Sequence, residues 1–245
     1  MWARTREPRA KASTYVAWTT TPAPWNGGGV ENPSFVALNP RGDRLYAVSE
    51  IDEYEGESSG AVYAYAVSTG SGALTFLNRR PTGGPGPCHL TVDATGQYVL
   101  VANYQGGSLC MLPIGAGGSL VPMSDFVQHD GHSVNERRQD GPHAHSVNLD
   151  SANRFLFAPD LGMDKIAVYR SDLDNGKIIP NDVPFVRSAP GAGPRHFALH
   201  PAGGYAYVIN ELASTVTAYR QGGQSPAQKL RTTGLPRSRI SPKLT

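Results

Sequence analysis

Apolar residues along this chain come in short bursts that end at a polar turn and resume in the opposite direction, and the pattern recurs four times. The segments NPSFVALNPRGDRLYAVSE (32–50), GPCHLTVDATGQYVLVANY (86–104), HAHSVNLDSANRFLFAPDL (143–161) and GPRHFALHPAGGYAYVINE (193–211) superpose without gaps. Each holds a short apolar strand ending at Asn39, Asp93, Asp150 or His200, a polar turn, and an aromatic-rich return strand. This is the signature of a β-hairpin. A third apolar run follows each hairpin (60–67, 107–114, 164–170 and 214–220), and a weaker, Gly-led fourth segment usually comes after it.

Four strands per unit, with spacings of 54, 57 and 50 residues between equivalent positions, predict an all-β fold of propeller blades. These periods exceed the WD40 repeat and approach the kelch-like one. A blade buries both faces against its neighbours, so its strands read as nearly continuous apolar runs rather than clean alternations. A β-sandwich has no reason to repeat the same turn and aromatic marks at so long a period, and the absence of helical periodicity excludes helical solenoids. A further strand is expected at STYVAWTT (13–20). A seven-bladed ring at this period needs on the order of 350 residues, so four to five blades are expected here and the sequence reads as an incomplete ring.

Composition refines this picture. The 28 glycines and 20 prolines are spread along the chain, as many short strands with many turns require. The formal charge of +2 conceals an uneven distribution: residues 1–12 carry four basic and one acidic residue, and residues 221–245 carry five basic and no acidic ones. The remaining body holds 13 basic and 19 acidic residues, so no nucleic-acid partner is expected. The domain reading is a basic tail over 1–12, blades over 13–220, and a basic, poorly ordered segment over 221–245. Two cysteines outside any CxxC pair fit a reducing cytoplasm, and no apolar stretch reaches the length of a membrane span.

Inner strands line the channel of a propeller, so equivalent positions at their starts share one space. Superposition puts Ser34, Cys88, His145 and Arg195 at that position. A hairpin brings its two ends together, so Glu211, at the end of the fourth return strand, is expected near Arg195 and near His145 of the preceding blade. A base, a cation and a carboxylate then converge. Arg138, His143, His196, Cys88 and Asn210 are expected to contact the ligand, although Asn103, Asp160 and Asn210 also recur where side chains ordinarily cap turns. The acidic run EIDEYEGE (50–57) reads as a solvated loop. The HAH pair sets two imidazoles on one strand face, yet no Asp or Glu is spaced to complete a recognisable metal site, so no metal is assigned.

NPSFVALNP with LYAVSE, GPHAHSV with PDLGMDKIAVY, and GAGPRHFALHP with YVINELASTVTAY resemble the seven-bladed lactonase propellers, over roughly residues 30–220. That family includes bacterial 6-phosphogluconolactonases and fungal carboxy-cis,cis-muconate cyclases. The resemblance implies a cofactor-free lactone hydrolase with catalytic His145, Arg195 and Glu211 acting on a small lactone, a phosphorylated sugar lactone or a muconolactone. Hydrolysis needs an activated water and a stabilised oxyanion: His145 suits the base, Arg195 a bidentate anion clamp, and Glu211 the orienting group or the base itself. The rivals are cyclisation by the same trio and a propeller that binds without catalysis.

Overall fold

The computed structural model describes residues 29–220 and 228–234. They form four antiparallel sheets of four strands, each a simple meander. The first sheet comprises β1 (Val36–Leu38), β2 (Arg44–Ser49), β3 (Ala61–Val67) and β4 (Leu74–Pro81). The second holds β5 (Pro87–Val92), β6 (Tyr98–Asn103), β7 (Ser108–Pro113) and β8 (Asp125–Gln128). The third holds β9 (Asn148–Leu149), β10 (Phe155–Asp160), β11 (Lys165–Asp172) and β12 (Lys177–Arg187). The fourth holds β13 (Pro194–Leu199), β14 (Tyr205–Asn210), β15 (Thr215–Arg220) and β16 (Gln228–Gly234). The only helical element among the described residues is a 3-10 turn at Ala116–Gly118.

The recurring Asn or Asp before each turn has a physical role. Asp93 Oδ1 accepts from the backbone N–H groups of Gln97 and Tyr98, both at 2.7 Å, and Oδ2 accepts from Thr95. Asp150 accepts from Arg154 and Phe155, and Asn39 from Asp43 and Arg44. These bonds satisfy the turn amides and fix the hairpin register. In the fourth hairpin His200 Nδ1 accepts from Ala202 instead.

Both faces of the inner blades are buried, as the apolar runs require. Val99 and Val101 pack with Tyr46, Val48, Val62 and Ala64 of the first blade. Leu100 and Ala102 of the same strand pack with Leu156, Ala158 and Tyr169 of the third. Phe157, Ile166 and Val168 meet Phe197, Ala206 and Val208 of the fourth. Each buried side chain of this size contributes about 1.5–3 kcal/mol, so it is the packing of blade on blade that fixes their relative positions. On β14 the other face carries Tyr205, Tyr207 and Ile209, each close to 40% exposed.

The blade boundary expected at residue 220 is corrected. Strand β16 pairs with β15 from Thr215–Gly234 to Arg220–Gln228 and completes the fourth blade. Its basic, Thr-containing sequence lacks the apolar run of the other strands, and that composition hid it. The strand expected at 13–20, the tail over 1–12 and residues 235–245 lie outside the described residues.

Candidate active site

Inner strands do not enter the channel straight. The ladder shifts register between Pro87 and His89 in β5 and between Pro194 and His196 in β13, so Cys88 and Arg195 are each the extra residue of a β-bulge. A bulge bends the strand and re-aims one side chain. In both, the preceding Gly-Pro supplies the bend: Gly86 and Gly193 have φ near +62° and +63°, a conformation that favours glycine. The first blade shows the same offset around Ser34, with Glu50 N–H donating to Asn32 O at 3.0 Å and Val48 N–H to Phe35 O at 3.0 Å. In the third, Leu161 N–H donates to His143 O and His145 N–H to Pro159 O, and the ladder resumes one residue out of register at Asn148. Pro159 has no N–H to return, which accounts for the short β9.

These inner-strand starts open onto a cavity of about 420 Å³ lined by Ser34, Phe35, Glu50, Cys88, Tyr104, Arg138, His145, Arg195, His196 and Glu211. All four blades contribute. Glu211 lies between two guanidiniums: Arg138 Nη2 donates to Oε1 at 2.7 Å and Arg195 Nε to Oε2 at 2.9 Å. Burial pushes the Glu211 carboxyl up, but its bond with Arg138 and the charges of Arg138 and Arg195 outweigh this and hold it below the usual carboxylate range. Arg138 also donates to Tyr104 Oη at 3.3 Å.

His145 Nε2 is 3.7 Å from Glu211 Oε2, and its Nδ1 is 3.5 Å from Cys88 Sγ. Burial, followed by the neighbouring Arg195 charge, lowers its pKa to about 4. It is therefore neutral near pH 7. Cys88, adjacent to a histidine as a thiol nucleophile would need to be, is pushed the other way: burial first and the Glu50 charge second raise it to about 12, which keeps it a thiol. Three of the lining rings, Phe35, His145 and His196, belong to a cluster that the buried His89 completes. Phe35 and His89 stand 4.1 Å apart, His89 and His196 5.4 Å, and His145 and His196 5.7 Å, between ring centres. His89 Nδ1 accepts from Val147 N–H at 3.3 Å, and burial followed by the two other imidazoles lowers its pKa to about 3.

The expected residues separate into two groups. His145, Arg195, Glu211, Arg138, His196 and Cys88 come together in the cavity. His143 stands behind it, stacked on Tyr104 at 4.5 Å with Nδ1 3.0 Å from the Tyr104 carbonyl. Asn210 is 1% exposed and donates to Thr215 and Thr217 Oγ1, both at 2.9 Å; it ties β14 to β15 and does not line the cavity. Glu50, read from sequence as part of a solvated loop, lines the cavity instead, as do Phe35 and Tyr104. Glu50, Tyr104 and Glu211 hold the same place in the repeat, so extending the superposition to the return-strand ends exposes them. His129 finds a carboxylate the spacing did not indicate, Asp160 Oδ2 at 2.6 Å from Nδ1. Among the described residues, no group of three or more His, Cys, Asp or Glu is arranged to hold a metal ion, and no helix is long and apolar enough to cross a membrane.

Known proteins share this architecture. A 6-phosphogluconolactonase of Bacillus subtilis is 39% identical over 187 residues, which are 76% of this chain and 51% of that protein. One from Formosa agariphila is 34% identical over 189 residues, 77% of this chain and 53% of that protein. The chain thus spans about half the length of these relatives. The periplasmic gluconolactonase PpgL of Pseudomonas aeruginosa superposes with a TM-score of 0.80 at 30% identity, covering 90% of this chain and 62% of PpgL. The family described as "Lactonase, 7-bladed beta-propeller" matches residues 20–234. With that match over most of its length and four blades opening on one shared cavity, the chain belongs to the seven-bladed lactonase β-propeller family.

Proposed function

We propose that the cavity hydrolyses a sugar lactone, with a phosphorylated sugar lactone as its preferred substrate. The observation that carries this reading is the Arg138–Glu211–Arg195 relay beside a neutral His145. Arg195 uses Nε on Glu211, which leaves its two terminal nitrogens as donors for a lactone carbonyl or a carboxylate. As water attacks, the carbonyl oxygen gains negative charge, and a guanidinium held in place by Glu211 stabilises that charge more than it does the neutral ester. His196, held toward the neutral form by burial and Arg195, supplies a further uncharged donor. The tetrahedral intermediate then collapses, the ring C–O bond breaks, and the departing alkoxide takes a proton to leave an open hydroxy acid. A phosphorylated substrate is supported by the free donors on Arg138 and Arg195 and by the names of the two relatives.

A cytoplasmic location belongs to the same proposal, supported by the unpaired Cys88 and Cys110. The test is acid release from a panel of 6-phosphogluconolactone, gluconolactone and an unsubstituted aliphatic lactone. The reading expects turnover of the sugar lactones, with the lowest KM for the phosphorylated one. A folded protein inert on all three refutes it.

A further inference from the structure

We infer that Glu50 is the general base that activates the attacking water, an assignment that rests on the lactone-hydrolysis reading and sharpens it. Of the groups in the cavity able to accept a proton, His196 is packed beside the His89 and His145 rings, 5.4 and 5.7 Å away between centres, and the geometry separates the other three. Glu211 has both carboxylate oxygens engaged, Oε1 by Arg138 and Oε2 by Arg195. A proton placed there would break charge-assisted bonds on which both cations depend. His145 turns Nδ1 toward the Cys88 sulfur and Nε2 toward Glu211 Oε2. Since Glu211 only accepts, the tautomer that satisfies this contact carries its proton on Nε2, so His145 donates where a base must accept.

Glu50 differs from both. It lines the cavity from the first blade at the repeat position that Glu211 occupies in the fourth. Among the described residues, its carboxylate has no hydrogen bond or ion pair. Its backbone is nonetheless held firmly: Glu50 N–H donates to Asn32 O at 3.0 Å, and Asn32 Nδ2 donates to Glu50 O at 2.7 Å. A fixed main chain carrying an unengaged carboxylate is what a proton-shuttling residue requires. Two carboxylates thus divide the work, Glu211 locked as counter-charge to the arginines and Glu50 open toward water. In the reaction, Glu50 takes a proton from water as the water oxygen bonds to the lactone carbonyl carbon, and returns it to the ring oxygen as the ring C–O bond breaks. No co-reactant is needed, and Glu50 ends as it began.

The test compares wild type, Glu50→Gln and Glu50→Ala on 6-phosphogluconolactone, with thermal melts to confirm folding. A positioned base contributes about 10²–10⁴-fold. The expectation is therefore a fall in kcat of at least 100-fold in Glu50→Gln with KM within about threefold of wild type, a residual rate that climbs in proportion to hydroxide, and partial rescue of Glu50→Ala by added formate. An unchanged kcat, or a raised KM with kcat intact, overturns the assignment while leaving lactone hydrolysis standing; the latter makes Glu50 a binder of sugar hydroxyls. Absence of formate rescue in a folded Glu50→Ala likewise overturns it. A wild-type chain inert on the lactone overturns the hydrolysis reading itself, and the role of Glu50 with it.

Discussion

Acidification should unfold this protein through its buried imidazoles. His89 and His145 are 7% and 8% exposed, and their pKa values in the folded state are lowered to about 3 and about 4, in both cases by burial first. In the unfolded chain an imidazole titrates near 6.5. A histidine whose folded pKa is depressed costs nothing above 6.5, because both states are neutral. As pH falls below 6.5 the unfolded state binds protons that the folded state refuses, and stability is lost until the folded pKa is reached. At about pH 4.5 each unfolded imidazole gains about 2.7 kcal/mol from protonation, against almost none for the folded group, so the two together remove about 5 kcal/mol. That is comparable to the ~5–15 kcal/mol stability of a typical domain. His196, also lowered by burial and then by Arg195, acts with the same sign. The assay is urea unfolding between about pH 7.5 and pH 4.5 in wild type and His89→Asn, whose amide oxygen is still able to accept from Val147. The variant should lose about 2.5 kcal/mol less than wild type over this interval. Identical losses in the two proteins, or an NMR titration of His89 near 6.5, would refute the reasoning.

Two further substitutions test the packing around the site. A Cβ at Gly162 would overlap the Gly141 carbonyl oxygen, so Gly162→Ala should destabilise by on the order of 3–5 kcal/mol, read as a large drop in the thermal midpoint. Asn210→Ala removes two hydrogen bonds, a part-buried one to Thr215 and a buried one to Thr217, and should cost about 1–3 kcal/mol. KM per folded molecule should stay unchanged; a raised KM would return Asn210 to the ligand site.

Much of this architecture is legible in the sequence, for physical reasons. Asn39, Asp93 and Asp150 stand out because a turn needs acceptors for its amides, and the apolar runs stand out because an inner blade is covered on both faces. Superposing the strand starts therefore finds the channel-facing residues. The bulges that aim Cys88 and Arg195 are less visible, since one extra residue leaves the repeat length unchanged; only the shared Gly-Pro hints at them. Glu50 is obscured by the acidic residues that follow it, which resemble a solvated run, and β16 by its basic composition. The opposed pKa shifts of His145 and Cys88 depend on burial and on charges contributed by other blades, which no local pattern encodes.

The central claim is that Arg195, held by Glu211, stabilises the oxyanion of lactone opening. Its most direct measurement is kcat/KM for 6-phosphogluconolactone in wild type and in folded Arg195→Ala. Loss of one such donor typically costs about 10²–10³-fold in kcat, and a fall of that size is predicted. Equal values in the two proteins would contradict the account.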